Sequence, residues 1–123
     1  MDKFRILLID DEEELVATLV ERLEMRDIEA EYVMTGPDAL QRLSEKSFDA
    51  ALLDYKLPGM SGMEVMRRIE KQFPQVKVLL ITGAGSVDGE EEEIPPEKAA
   101  DVLLKPIDIE VLIEKLRAAV RGK

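Results

Sequence analysis

Short runs of Ile, Leu and Val recur along this chain, and each is followed by a segment whose apolar residues fall every three or four positions. Phe4–Ile9, Ala50–Leu53, Val76–Ile81 and Val102–Leu104 are too short for helices and read as strands buried on both faces of a parallel sheet. Ile28–Val33 alternates Ile28, Ala30 and Tyr32 with Glu29, Glu31 and Val33, which suits a half-exposed strand near the sheet edge. Between them, Glu13–Met25 places Leu15, Val16, Leu19, Val20 and Leu23 on one helical face. Pro37–Lys46 reads as a second helix with proline in its tolerant first turn. Ser61-Gly62-Met63-Glu64 is a capping box, Ser serving one orphan amide and Glu reaching back, that opens a helix to about Phe73. Asp108 can cap a last helix whose Ile109, Leu112, Ile113, Leu116 and Val120 share a face.

Strand and helix in repeated alternation imply an open parallel sheet with helices on both faces and right-handed crossovers. One segment resists the pattern. Residues 86–100, where a fourth helix belongs, contain Pro95-Pro96, which cannot lie inside a helix without losing hydrogen bonds. A short helix starting near Pro95, or an irregular segment, is expected there, with Glu90–Glu93 read as a solvated loop in preference to an acidic docking motif. No linker or low-complexity tract divides the chain, so residues 1–123 read as one domain, the usual result for this length.

Composition removes whole classes of chemistry. There is no Cys and no His, hence no disulfide, no thiolate zinc site and no imidazole base. A net charge of -10, three Phe, two Tyr and no Trp leave neither a basic footprint nor a stacking platform for nucleic acid. The longest uninterrupted apolar runs, such as Ile6–Ile9, are four residues, far short of the ~20 a membrane helix needs. A soluble, cytoplasmic protein is expected. The acids are also concentrated, five within residues 10–14 and six within 88–97; outside these stretches acids and bases nearly balance.

In sheets of this type, ligands bind beyond the carboxyl ends of the strands. There the sequence places Asp10-Asp11, Asp54, Thr82 and Lys105-Pro106. Taken singly, the Asp pair could be a helix cap, the Thr a structural hydroxyl and the Lys a solvated charge. Together on one rim they describe a site. Two carboxylates about 5 Å apart repel by roughly 3 kcal/mol at an effective dielectric of 20. A divalent cation would compensate, and with only oxygen ligands on offer Mg²⁺ suits better than zinc or copper. Cation, ammonium and hydroxyl around a carboxylate also make a phosphoryl-transfer site in which Asp54 is the nucleophile.

Four stretches carry a resemblance: Ile6-Leu7-Leu8-Ile9-Asp10-Asp11-Glu12, Leu53-Asp54-Tyr55-Lys56-Leu57-Pro58-Gly59-Met60-Ser61-Gly62, Ile81-Thr82-Gly83 and Leu104-Lys105-Pro106. In this order and spacing the chain resembles the receiver domain of bacterial two-component response regulators, of the chemotaxis-regulator kind. The resemblance implies a flavodoxin-like (βα)5 fold, a three-layer sandwich with sheet order 2-1-3-4-5. It implies a phosphoacceptor rather than an enzyme, with Asp54 phosphorylated by a histidine kinase or phosphotransfer protein. Asp11 would ligate Mg²⁺ directly and Asp10 through water, with Asp54 and the Lys56 backbone carbonyl as further ligands. Thr82 would hydrogen-bond one phosphoryl oxygen and Lys105 pair with another. A cis Lys105–Pro106 bond, a shift of the face made by the fourth helix, fifth strand and fifth helix, and a downstream effector protein or domain are further implications.

Two features depart from the family. Val102 stands where Tyr or Phe is common, which excludes an aromatic rotamer switch, and the proline-broken segment 86–100 transfers family dimerisation rules poorly. Three other readings compete. A degenerate receiver would serve as an unphosphorylated interaction module. A metal-dependent aspartyl phosphatase would carry Asp-x-Asp after the first strand, whereas Asp10 and Asp11 are adjacent. A flavin carrier would need a first loop that cradles phosphate, and Asp10–Glu14 would repel it.

Overall fold

The computed structural model describes residues 4–57, 59–82 and 101–121. The expectations for residues 86–100 fall outside them, as do Pro58 and Gly83. The apolar runs form β1 (Arg5–Ile9), β2 (Glu29–Val33), β3 (Ala50–Asp54), β4 (Lys77–Thr82) and β5 (Asp101–Leu104). Helices α1 (Glu13–Glu24), α2 (Gly36–Glu45) and α3 (Gly62–Gln72) follow the first three strands, and α4 (Ile109–Arg121) follows β5. All strand pairs are parallel and the order is β2-β1-β3-β4-β5, the flavodoxin-like arrangement expected from the sequence.

The three layers follow from the period of two along a strand. Ile6 and Leu8 of β1 face one way, onto Val16, Leu19 and Leu23 of α1 and Leu112 and Leu116 of α4. Leu7 and Ile9 face the other, onto Ala39 and Leu43 of α2 and Val65, Met66 and Ile69 of α3. All four β1 side chains are fully buried, and each such burial stabilises by about 1.5–3 kcal/mol. A strand with helices above and below has no polar face, which is why β1, β3 and β4 read as unbroken apolar runs.

β2, at the edge, keeps the mixed character read from its sequence: Glu29 is exposed, Ala30 buried and Tyr32 half-buried. Glu31 is drawn partly inward by Arg42 of α2, which reaches it through Nε (2.7 Å) and Nη2 (3.2 Å). α2 starts one residue before Pro37 because Thr35 caps it, Oγ1 accepting from the Asp38 amide at 3.2 Å. The capping box before α3 is only half as expected. Ser61 Oγ accepts from the Glu64 amide (3.2 Å), but the Glu64 carboxylate turns outward to Arg68 (2.9 Å) and Arg67 (3.2 Å) instead of reaching back. Two basic residues one turn on outcompete a backbone amide for that charge. Asp108 caps α4 as expected, Oδ1 accepting from the amides of Glu110 (2.9 Å) and Val111 (3.3 Å).

The N-terminus of α3 lies hard against the end of β3. The Gly62 amide donates to Tyr55 O at 3.1 Å, and a Cβ at this position would lie 2.5 Å from that same oxygen and 2.8 Å from Asp54 O. Only a residue without a side chain permits this approach. No helix among the described residues is long and apolar enough to cross a membrane.

Candidate functional site

Parallel pairing carries every strand's carboxyl end to one rim. Asp10, directly after β1, is fully buried; its amide donates to Val33 O (3.2 Å), and its Oδ1 accepts from the Glu12 amide (2.9 Å). That bond is an Asx-type turn that holds the start of the β1–α1 connection. Asp11 beside it is exposed. Asp54 ends β3 in register with Ile81 and is 5% exposed, and its Oδ1 accepts from the Lys56 amide at 3.1 Å. Asp10, Asp11 and Asp54 each offer a carboxylate oxygen within 4.8 Å of the others.

Lys105 enters from the far side of the rim. Its amide donates to the carbonyl of Thr82, the half-buried last residue of β4, at 3.0 Å, and the Lys105–Pro106 peptide is cis. The ammonium lies 2.7 Å from Glu12 Oε1, 3.2 Å from Asp10 Oδ2 and 3.5 Å from Asp54 Oδ2. With Asp10 the contact is an ion pair out of line for a hydrogen bond, so that this buried oxygen has no hydrogen-bond partner. Thr82 stands one position beyond Ile81, the residue paired with Asp54.

The charges in this rim are unbalanced. Burial pushes the Asp54 carboxyl up from 3.8 to about 6, the charge on Asp10 pushes the same way, and the Lys56 amide and the Lys105 ammonium oppose them only in part. For Lys105, burial works against the charged form, but Glu12, Asp54 and Asp10 outweigh it and raise its pKa. Three carboxylates, those of Glu12, Asp10 and Asp54, thus surround one ammonium, with Asp11 beside the two aspartates. Such a set accepts a hard cation through oxygen donors, and a carboxylate with raised basicity is the better nucleophile.

The residues singled out in the sequence therefore meet: Asp10, Asp11, Asp54 and Lys105 in one cluster, with Thr82 on the same edge. Lys56 contributes its amide to Asp54. Val102 is half-buried against the cluster of Leu7, Leu53 and Leu80 on the α2–α3 side of the sheet. Sequence reasoning passed over Glu12, which counted there only as one acid among five after β1. Its signal was present nonetheless, because Glu is a poor helix cap and here stands at the N-cap of α1.

A family model of the response regulator receiver domain matches residues 6–117. The transcriptional regulatory protein YkoG of Bacillus subtilis is 35% identical over 128 residues, covering 98% of this chain and 53% of that protein. The response regulator receiver protein CpdR of Brucella abortus is 32% identical over 112 residues, covering 91% and 92% respectively. The chain thus spans about half the length of YkoG and nearly all of CpdR. Among solved structures, the response regulator protein TrrA of Thermotoga maritima, in complex with Mg(2+)-BeF, superposes with a TM-score of 0.80 at 28% identity, over 94% of this chain and 98% of that one. A family match across most of the chain, relatives more than 30% identical and a shared fold agree: the chain belongs to the family of receiver domains of two-component response regulators.

Proposed function

We propose that residues 1–123 form a single receiver domain, acting in the cytoplasm, in which Asp54 accepts a phosphoryl group from a histidine kinase or phosphotransfer protein. The observation that carries this reading is the approach of Asp10, Asp11 and Asp54 to within 4.8 Å beside the Lys105 ammonium. The Asp54 carboxylate oxygen attacks phosphorus, and the bond from phosphorus to the donor's imidazole nitrogen breaks, its electron pair leaving with the imidazole. Lys105 stabilises the charge on the phosphoryl oxygens, and Thr82 donates its hydroxyl hydrogen to one of them once the group is in place. The domain is a phosphoacceptor in this scheme, and its output is a changed affinity for an effector protein or domain.

The residues present fit Mg²⁺. Three clustered carboxylates face one lysine, and the buried Asp10 Oδ2 lacks a hydrogen bond that a cation or its bound water would replace. We assign Asp10, Asp11, Asp54 and the Lys56 carbonyl as its donors. When bound, the ion supplies the positive charge that lets an anionic donor approach three carboxylates. The complex of TrrA with Mg(2+)-BeF supports Mg²⁺ as the ion by similarity.

The test is mass spectrometry after incubation with acetyl phosphate and Mg²⁺. The protein should gain the mass of one phosphoryl group and Asp54→Asn should gain none. An equal gain in Asp54→Asn refutes the assignment.

A further inference from the structure

Glu12 is poorly suited to the position it holds in the helix. It is the N-cap of α1, with extended backbone, yet its side chain makes no cap bond. Asp, Asn, Ser and Thr cap well because they are short, and Glu overshoots the amides it would serve. Its carboxylate goes instead to Lys105, 93 residues away, in a 2.7 Å hydrogen bond. Lys105 has three N–H donors and three carboxylates around it. Glu12 is the nearest of the three and the most exposed, its side chain 57% accessible against 0% for Asp10 and 7% for Asp54. The Glu12 contact is a hydrogen bond and the Asp10 contact an ion pair alone, so a new oxygen on Asp54 competes with Glu12 for the ammonium, and this solvated partner is the easiest to release.

We propose that Glu12 is a positioning residue that holds the Lys105 ammonium at the mouth of the resting site and competes with the incoming phosphoryl oxygens for it. This rests on the reading of Asp54 as phosphoacceptor. With acetyl phosphate as donor, an Asp54 carboxylate oxygen bonds to phosphorus while the bond from phosphorus to the acetyl oxygen breaks, its electron pair leaving as acetate. No proton moves, and Lys105 transfers its hydrogen bond from Glu12 to a phosphoryl oxygen. Glu12 then opposes phosphorylation in two ways, by occupying Lys105 and by repelling an anionic donor.

Two measurements test this. In chelator-treated protein, urea unfolding of Glu12→Gln, Lys105→Met and the double variant should be non-additive, with a coupling of about 3-fold or more in the unfolding constant. Additive effects, which a purely local role in α1 would give, overturn the proposal. With acetyl phosphate and Mg²⁺, quenched samples read by mass spectrometry should show Glu12→Gln phosphorylated about 3- to 10-fold faster than the wild type. Glu12→Ser, which restores a good cap while removing the carboxylate, should match that rate although it is more stable. Rates equal to or below the wild type in both variants overturn the proposal. A wild type that gains no phosphoryl group at all would refute Asp54 as acceptor while the coupling persists, so the two failures are distinguishable.

Discussion

Replacing Asp54 by Asn removes one of three carboxylates from the rim and should make the metal-free protein more stable at alkaline pH. The magnitude follows from the environment. Burial and the charge of Asp10 raise the Asp54 carboxyl from 3.8 to about 6, and at 1.36 kcal/mol per pH unit this corresponds to at most about 3 kcal/mol against the ionised form. Asn keeps an oxygen to accept from the Lys56 amide, which now sits 3.1 Å from Oδ1, so little is lost in exchange. An increase of about 1–3 kcal/mol is expected, several degrees in Tm for a chain of this length.

The pH dependence distinguishes this from a generic packing effect. The folded-state value lies above the unfolded one, so between about pH 4 and pH 6 the folded wild type binds more protons than the unfolded chain. Wild-type stability therefore falls relative to Asp54→Asn as pH rises through that window and stays lower above it. Urea unfolding of both proteins in chelator, from about pH 4 to about pH 8, should give a difference that grows from near zero to a plateau. Millimolar Mg²⁺ should then stabilise the wild type and narrow the plateau. A difference that is flat across this range, or an Asn variant less stable at about pH 8, would refute the electrostatic account of the rim.

Two further outcomes are expected. Gly62→Ala should destabilise by about 1–3 kcal/mol in urea unfolding, since the new Cβ would meet Tyr55 O at 2.5 Å, Tyr55 Cα at 2.6 Å and Asp54 O at 2.8 Å, all backbone atoms that cannot swing aside; an unchanged midpoint would contradict the close approach. Glu31, held down to about 2 by hydrogen bonds from Arg42 against partial burial and with help from Lys46, contributes stability above its unfolded value of 4.5 that is lost as pH falls toward about 2. After allowance for solvent at a side chain 25% exposed, Glu31→Gln should cost about 1 kcal/mol at neutral pH, and the cost should vanish under acid; a pH-independent difference would count against the ion pairs.

The sequence shows most of the fold because the sheet is buried on both faces. Residues such as Leu52 and Leu79 have no solvent side, so burial leaves a continuous apolar run that no helix period imitates. Element ends were less legible. The start of α2 depends on the Thr35 hydroxyl, and the fate of the Glu64 carboxylate on Arg67 and Arg68, local contests that spacing alone does not decide. The rim was legible in kind, since Asp10, Asp54, Thr82 and Lys105 each follow or end a strand, but the partnership of Glu12 with Lys105 spans nearly the whole chain and needs the closed fold to appear.

Burial also decides which acids matter. Glu13 and Glu14 on the first turn of α1 are as dense in charge as the rim, yet both are exposed, Glu13 accepting a hydrogen bond from the Tyr32 hydroxyl (3.0 Å), and at such a surface little follows from having a charged neighbour. Asp10 and Asp54 have no such freedom. Leu53, one residue before Asp54, is fully buried on the α2–α3 side of the sheet, and Ile81, paired with Asp54, is fully buried on the α1–α4 side. With the strand end pinned on both faces, the carboxylates cannot separate to relieve their repulsion. They must share a cation, take up a proton or lose a charge by substitution, and a net charge of -10 says nothing about which. The stability of the metal-free protein is therefore the place where the chemistry of this rim can be read without any phosphodonor at all.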